Sequence, residues 1–308
     1  MASAMLLIDA DLLLHRTTAV TERDIDWGDG VSTIHCDHAE MQVLAKREIA
    51  KIIAGCGLPH VKIVLVFSGP NNFRKELDPS YKANRAGSRK PVGYSVLKDW
   101  LFKNYDCKVH PRIEADDLMG IMQTSGKLGK TMIVSDDKDM HQIPGLLYRP
   151  SEGVVKEISV NEAYHYHMLQ TLCGDKADNY PGLPGCGEKK TEVILDCSPD
   201  DYWGSVVEAF EKAGLTYEDT LLQARLSKIL HVKDYDLKNR KPILWTPQIP
   251  KKKSVTIASS ESTTPAPTKT SSETASKPTS TVSKSPALTR TKRTKKQSTS
   301  PTTTPSTK

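Results

Sequence analysis

The stretch Met5-Leu-Leu-Ile-Asp9-Ala-Asp11 is a short apolar run that ends in acidic residues. A continuous apolar run of this length predicts a strand that is buried on both faces, as the strands of parallel sheets are. Similar runs occur at residues 62–68, 107–110 and 131–135, with a weaker one at 146–148. Amphipathic stretches separate them, so the sequence predicts an α/β fold with a mostly parallel central sheet flanked by helices.

Pattern and composition divide the chain into three parts. Helical periodicity is found at about residues 39–54, 92–104, 115–125, 159–173, 200–213 and 219–230. Strand patterns stop before residue 159, which predicts an α/β domain over 1–158 and a helical extension over 159–250. Among the last 58 residues, 251–308, 29 are Ser or Thr, six are Pro and none is aromatic. This composition predicts a disordered tail.

The net charge of +6 is unevenly distributed along the chain. Residues 251–308 contain 12 Lys and Arg against two Glu, whereas residues 1–250 contain 31 basic and 35 acidic residues. The basic tail predicts weak, non-specific contact with nucleic acid, although a solubilising linker has the same composition. Scattered cysteines without a C-x-x-C pair, and an N-terminus without a secretory leader or membrane span, predict a cytoplasmic protein that contacts no membrane.

Acidic residues recur just after the predicted strands, where a parallel sheet places its working side chains. They are Asp9, Glu114, Asp116, Asp117, Asp136, Asp137, Asp139, Asp175 and Asp178. Any one of them could instead cap a helix. Together they predict a cluster that a cation must neutralise, and all-oxygen sites suit Mg²⁺ or Mn²⁺. Two such ions can activate water for phosphodiester hydrolysis.

Two further motifs indicate contact with phosphate groups. The segment Gly182-Leu-Pro-Gly185-Cys-Gly187-Glu-Lys189-Lys190 predicts a tight hairpin whose N–H groups bind a phosphate, although a Gly-rich turn is often only a loop. Basic residues with interleaved aromatic rings predict a nucleic-acid surface, although a solvated helix face has the same pattern. These residues are Phe73, Arg74, Lys75, Tyr81, Lys82, Arg85, Arg89, Lys90, Lys98 and Lys103.

With these motifs the sequence resembles the 5′-nuclease superfamily, in particular the phage 5′→3′ exonucleases and the flap endonucleases. The resemblance extends from about residue 6 to residue 230. Six stretches in the family's order carry it: Leu7-Ile-Asp9-Ala-Asp11, Tyr81-Lys82-Ala-Asn-Arg85, Glu114-Ala-Asp116-Asp117, Ser135-Asp-Asp137-Lys-Asp139, Gly174-Asp175-Lys-Ala-Asp178-Asn179 and Gly182-Leu-Pro-Gly185-Cys-Gly187. It implies a PIN-like catalytic domain, and a helix-hairpin-helix DNA-binding element at residues 182–190.

The resemblance also implies roles for individual residues. One Mg²⁺ would be held by Asp9, Glu114 and Asp116, and a second, directly or through water, by Asp117, Asp137, Asp139, Asp175 and Asp178; Mn²⁺ could substitute. Lys82 and Arg85 would be catalytic, positioning the scissile phosphate, and Tyr81 would stack on the terminal base. DNA contacts would come from Arg74, Lys75, Arg89, Lys90, Gly182, Gly185, Gly187, Lys189 and Lys190, with K⁺ held by carbonyls of the hairpin.

The implied activity is 5′→3′ exonucleolytic hydrolysis of duplex DNA from its 5′ end, and of RNA primers in RNA–DNA hybrids, in phage DNA replication. Only a short stretch separates Arg85 from Glu114, which disfavours a strand-threading flap endonuclease but leaves it as the alternative. A second alternative is a catalytically weakened DNA-binding protein, because a gapless alignment puts a family Asp at Gly69. The hairpin disfavours a small PIN ribonuclease.

Overall fold

The computed structural model describes residues 4–247, which belong to one compact unit. The strands of this part are β1 Ala4–Asp9, β2 Glu22–Asp26, β3 Ser32–Cys36, β4 Val61–Phe67, β5 Cys107–Val109, β6 Thr131–Val134, β7 Gly145–Arg149, β8 Val154–Ile158, β9 Tyr235–Asp236 and β10 Lys241–Pro242. The helices are α1 Ala10–Thr21, α2 His38–Gly55, α3 Arg74–Leu77, α4 Tyr94–Asn104, α5 Ala115–Thr124, α6 Val160–Cys173, α7 Glu188–Ile194, α8 Tyr202–Lys212 and α9 Tyr217–Ser227. The predicted tail, 251–308, lies outside the described residues.

The central sheet has six strands in the order β5-β4-β1-β6-β7-β8. Every neighbouring pair is parallel except β7 and β8. The predicted α/β fold with a mostly parallel sheet is therefore confirmed, and the five predicted strands all lie in it. Strand β1 is central, with Ile8 paired to Leu65 of β4 on one side and to Val134 of β6 on the other. Its carboxyl end thus lies between those of β4 and β6.

Helices cover both faces of this sheet. Leu6 and Phe67 face a core that includes residues of α1, α2 and α4, whereas Leu7 and Val66 face a core that includes residues of α5 and α6. All four sheet residues are fully buried. Burial on both faces explains why these strands are continuous apolar runs rather than alternating patterns.

The sequence patterns did not predict helix α1 or strand β8, or the separate β2–β3 hairpin. Helix α1 contains three buried threonines, which are poor helix formers because their branched side chains are stiff. In the fold the hydroxyls of Thr18 and Thr21 donate to carbonyls four residues earlier, those of Leu14 and Thr17. These bonds satisfy two of the three buried hydroxyls inside the helix, whereas the Thr17 hydroxyl has no hydrogen-bond partner among residues 4–247.

Beyond β8 the described chain is mainly helical. Helices α6, α8 and α9 share a core in which Phe210, Val206 and Leu172 are fully buried. The proposed boundary at residue 158 remains a prediction, since both sides of it lie in the same compact unit. No helix between residues 4 and 247 is long and apolar enough to cross a membrane.

Candidate active site

One cavity at the carboxyl ends of neighbouring strands contains seven of the nine predicted acidic residues, all except Asp117 and Asp175. Asp9 ends β1 and accepts hydrogen bonds from the Leu12 N–H at 3.3 Å and the Ser135 hydroxyl at 3.0 Å. Asp116 lies in the first turn of α5. The cavity has a volume of about 400 Å³, and its charged lining residues are Asp9, Asp11, Arg16, Lys82, Arg85, Glu114, Asp116, Asp136, Asp137, Asp139 and Asp178, with His15 and Ser68 beside them.

Negative charge in this cavity exceeds what the neighbouring residues balance. Burial, with the charges of Asp11 and Asp137 adding to it, raises the pKa of Asp9 to about 6. Burial and then the charge of Asp9 hold the pKa of Asp116 well above its usual value. Burial and then Asp137 raise the pKa of Asp139 to about 7. A bound cation would relieve this repulsion.

Three basic side chains line the same cavity, and Arg16 pairs with Asp136. The Lys82 amine contacts Glu114 and lies 3.3 Å from Asp178 Oδ2. The Arg85 guanidinium lies 2.6 Å from Asp178 Oδ1. Burial disfavours the charged amine, but Glu114 and Asp178 hold the pKa of Lys82 above its usual value. Burial likewise opposes the charge of Glu114, but Lys82 and Arg74 lower its pKa to about 2.

The donor set fits a hard divalent cation by its chemistry. The carboxylates of the cavity offer only oxygen atoms, the ligands that Mg²⁺ and Mn²⁺ prefer. As the side chains stand, no three His, Cys, Asp or Glu of residues 4–247 converge closely enough to hold one ion. The ion pairs of Lys82 with Glu114 and of Arg85 with Asp178 explain part of this separation, because each basic group occupies oxygen atoms that a cation would need. A cation would therefore require those ion pairs to rearrange.

Comparison with known proteins identifies the family. A family model described as the N-terminal resolvase-like domain of 5′-3′ exonucleases matches residues 4–164. The "Exonuclease" of Escherichia phage T7 is 30% identical over 284 residues, which covers 79% of this chain and 93% of that protein. The chain belongs to the 5′-3′ exonuclease family. The "Exodeoxyribonuclease" of Enterobacteria phage T3 is 29% identical over 285 residues with the same coverage.

The family shows that the protein is a nuclease, as the sequence motifs predicted. Among solved structures, the bacteriophage T5 D15 flap endonuclease in complex with DNA and metal ions has 14% identity and a TM-score of 0.48. That match covers 73% of this chain and 89% of the T5 chain. This likeness is too low to indicate anything about the activity of this nuclease.

Asp117 of the nuclease is not in the cavity, so its prediction as a metal ligand was wrong. The side chain is fully buried and forms a double hydrogen bond of 2.8 Å per contact with Arg74. Arg74, 3% exposed, also donates to the carbonyls of Leu226 and Lys228, at the end of α9 and just beyond it. Its prediction as a DNA contact was wrong for the same reason. The pair joins α3, α5 and the chain after α9.

Asp117→Asn is expected to lower the free energy of unfolding by about 3 kcal/mol, because a buried guanidinium would lose the carboxylate that it contacts twice and keep only Glu114, 3.4 Å away. Urea denaturation of the full-length protein, followed by circular dichroism, measures the change. As a control, Arg23→Ala removes an exposed ion pair with Glu40 and should barely move the midpoint. If Asp117→Asn were as stable as the parent, Glu114 and the carbonyl partners of Arg74 would be sufficient to stabilise the guanidinium.

Tyr81 cannot stack on a terminal base of the DNA, so that prediction was also wrong. Its side chain is 2% exposed, and its hydroxyl donates to Asp178 Oδ2 at 2.9 Å and lies 3.1 Å from Glu114 Oε2. It therefore orients two carboxylates of the cavity.

Asp175 does not line the cavity; it pairs with Lys138 and accepts the N–H of Ala177. Its water-mediated role remains a prediction.

A turn in which the Cys186 N–H donates to the Leu183 carbonyl lies between α6 and α7, and the glycines of this segment differ in exposure. Its role as a helix-hairpin-helix DNA-binding element remains a prediction. Gly182 is buried and its N–H donates to Gln223 Oε1 at 3.0 Å, so it cannot bind a phosphate. A Cβ there would lie 2.3 Å from the Gly174 nitrogen. The other predicted DNA contacts of this segment, Gly185, Gly187, Lys189 and Lys190, are exposed. Their DNA contacts, and the K⁺ site, remain predictions.

The other predicted DNA contacts are exposed and lie outside the cavity. Lys75 is on the surface of α3, and Lys90 lies over the Tyr94 ring at 4.6 Å. The Arg89 guanidinium forms two hydrogen bonds with Glu22. A DNA phosphate would have to displace Glu22 to reach Arg89. No finding tests these three predictions.

Gly69 cannot be replaced by the aspartate that the family pattern suggests. An added Cβ would lie 1.9 Å from the backbone oxygen of His110, and the Gly69 N–H donates to Ile113. The close approach of two backbones, rather than the turn geometry, requires glycine here.

The sequence analysis missed Asp11, which lines the cavity and accepts the Ser68 N–H at 2.7 Å. The sequence feature that could have identified Asp11 is its position two residues after Asp9.

Gly69→Ala is expected to cost about 1–3 kcal/mol of stability, because overpacking at this contact forces the backbone to shift. Gly69→Asp should cost more and should not strengthen metal binding. Gly204→Ala is the matched control, since an added Cβ there meets nothing within 4 Å. Thermal unfolding of all three proteins would measure this. A Gly69→Ala protein that melts with the parent would contradict the close contact.

Proposed function

We propose that this protein is a Mg²⁺-dependent 5′→3′ exodeoxyribonuclease that removes nucleotides from the 5′ ends of duplex DNA. The observation that carries the proposal is the single cavity in which Asp9, Glu114, Asp116, Asp137, Asp139 and Asp178 meet Lys82 and Arg85. The family and the names of the T3 and T7 relatives support it. Mn²⁺, a similar hard cation, would substitute for Mg²⁺.

The acidic residues of the cavity would form two groups, each of which binds one cation. Asp9, Glu114 and Asp116 approach from β1 and α5, and would hold one ion. Asp137, Asp139 and Asp178 would hold the other. When bound, the ions supply activation of water and stabilisation of the charge that develops on the phosphate. Tyr81 keeps Glu114 and Asp178 oriented toward the cavity.

Lys82 and Arg85 would bind the scissile phosphate. Each now neutralises a carboxylate that the proposed ions would also neutralise. Once cations balance Glu114 and Asp178, both basic groups become available to an incoming phosphate. Held in a partly buried position, the Lys82 amine stabilises developing charge more strongly than an amine in bulk water could.

The segment between Arg85 and Glu114 favours an exonuclease over a flap endonuclease. Helix α4 occupies much of it, and its residues Leu97 and Leu101 are fully buried against α1 and α2. Only residues 86–93 separate Arg85 from α4. This arrangement supports action at duplex ends. The proposal extends, on the names of the phage relatives, to RNA primers in RNA–DNA hybrids during phage replication in the host cytoplasm.

The proposal is tested with blunt duplex DNA labelled at either the 5′ or the 3′ end, incubated with the full-length protein and Mg²⁺. Release of short 5′-labelled products, with stepwise shortening of the 3′-labelled strand, is expected. A chelator should stop both. Preferred cleavage of a 5′ single-stranded flap would instead indicate a flap endonuclease. Binding to DNA without cleavage, in Mg²⁺ and equally in Mn²⁺, would indicate a catalytically weakened protein.

Deleting residues 251–308 is expected to weaken DNA affinity at low salt and to flatten its salt dependence. The deletion removes 12 Lys and Arg, whose binding to phosphates releases counterions. Fluorescence anisotropy of a labelled duplex across a salt series, with a chelator present, measures the slope. Metal-dependent cleavage by the shortened protein should persist at saturating DNA. An unchanged slope would mean that the tail does not contact DNA.

A further inference from the structure

One strand end at the rim of the cavity has no carboxylate of its own. Strand β1 ends in Asp9, and β6 is followed by Asp136 and Asp137. Strand β4, the neighbour of β1 on its other side, is followed by Ser68-Gly69-Pro. Because a Cβ on Gly69 would collide with the His110 carbonyl, no side chain can extend from that position.

Asp11 brings a carboxylate to this strand end from another element. It lies in the first turn of α1, and its Oδ2 accepts the Ser68 N–H at 2.7 Å. The Ser68 hydroxyl in turn accepts the N–H of Ala115, the first residue of α5, at 3.0 Å. Asp11 and Ser68 line the same cavity as Asp9 and Glu114. The carboxylate is therefore connected to the starts of both α1 and α5.

A hydrogen bond holds the Asp11 carboxylate without using all its acceptor capacity. Its donor is the Ser68 N–H, and the Tyr94 hydroxyl lies nearby, where burial and then the charge of Asp11 raise the pKa of Tyr94 to about 12. An ionised carboxylate has about four lone-pair positions, so these neighbours leave room for a cation. Groups that fix a ligand in this way commonly surround metal sites. An acidic residue in the first helical turn would also stabilise α1 alone, so a structural role is the competing explanation.

We propose that Asp11 is a direct ligand of the cation shared by Asp9, Glu114 and Asp116, and supplies the carboxylate that β4 cannot. Tyr94 is a positioning residue for Asp11. This inference rests on the proposed metal-dependent function. It differs from the sequence assignment, in which Asp11 had no role.

The test is Mn²⁺ binding by the full-length protein without DNA, with free Mn²⁺ measured by electron paramagnetic resonance. Asp11→Asn keeps an oxygen that can accept the Ser68 N–H but removes the negative charge. Since cation affinity depends on ligand charge, we expect at least ~10-fold weaker binding at one site. Tyr94→Phe should weaken the same site by about 10-fold, as removal of an orienting partner does. Asp24→Asn, an equal charge change at an exposed position on β2, should leave binding unchanged.

The outcomes separate this inference from the proposed function. A parent protein that binds no Mn²⁺ overturns both. A parent that binds Mn²⁺, with Asp11→Asn binding equally well, overturns only the role of Asp11, because it would show a purely structural carboxylate. Should Asp11→Asn fail to fold, Tyr94→Phe decides: a weakened site supports the inference, and unchanged affinity overturns it.

Discussion

Asp137→Ala is expected to lower the rate of DNA hydrolysis by ~10³-fold or more, because bound metal ions contribute several kcal/mol of charge stabilisation and each 1.36 kcal/mol is tenfold in rate. DNA affinity should stay near that of the parent, since the lost group is acidic and repels phosphate. Single-turnover cleavage of a labelled duplex measures the rate, and anisotropy with a chelator measures binding.

The structural role of Asp137 needs its own control. Its Oδ1 accepts the Asp139 N–H at 2.9 Å and caps the short 3-10 turn Lys138–Gln142. Asp137→Asn retains an acceptor for that bond but not the charge. If the negative charge of Asp137 is required for hydrolysis, both variants lose most of their activity. A fully active Asp137→Asn protein would instead show that the Ala variant is inactive because it lacks the hydrogen bond that caps the turn. Asp200→Ala, an exposed residue away from the cavity, should cleave like the parent.

The convergence of the carboxylates could be predicted because it depends on regular geometry. The apolar runs identified parallel strands, and parallel strands end at a common edge of the sheet. An acidic residue just after such a run, such as Asp9 or Asp137, therefore has a place that the sequence alone defines. The fold class followed from the same periodicity.

The roles of Arg74, Tyr81 and Asp117 could not be predicted in this way, because burial depends on distant parts of the chain. Asp116 and Asp117 are adjacent, but successive residues of a helix point in directions about 100° apart. Asp116 faces the cavity, whereas Asp117 faces Arg74. Nothing local in the sequence shows that Arg74 lies there, or that the carbonyls of Leu226 and Lys228 complete its contacts. A basic residue in a basic segment predicts a surface position, and here that prediction fails.

Gly69 shows a different limit of sequence analysis. Alignment indicated a missing carboxylate, but only the backbone contact with His110 explains why glycine is required. Asp11 reaches the same strand end because α1 begins directly after β1 and turns its first residues toward Ser68. Helix α1 was not predicted, so this placement could not be foreseen.

Lys82→Ala is expected to lower the rate of cleavage by ~10²–10³-fold, the usual loss when a donor that stabilises transition-state charge is removed. The change should appear in the rate at saturating DNA more than in affinity, since the interaction is strongest with the developing charge. Single-turnover rates over a range of DNA concentrations separate the two effects. Lys212→Ala, which removes an exposed amine paired with Glu208, is the control and should cleave like the parent.

Metal binding by the same variant distinguishes a role in charge stabilisation from indirect damage to the cation site. The Lys82 amine contacts Glu114 and lies 3.3 Å from Asp178 Oδ2, so it competes with a cation for both carboxylates. Removing it should therefore leave Mn²⁺ affinity equal to or tighter than that of the parent, even as the rate falls. Weaker Mn²⁺ binding by Lys82→Ala would mean that the amine organises the site and that the lost activity follows from lost metal. A variant that cleaves at the parent rate would show that Lys82 only balances the two carboxylates and takes no part in hydrolysis.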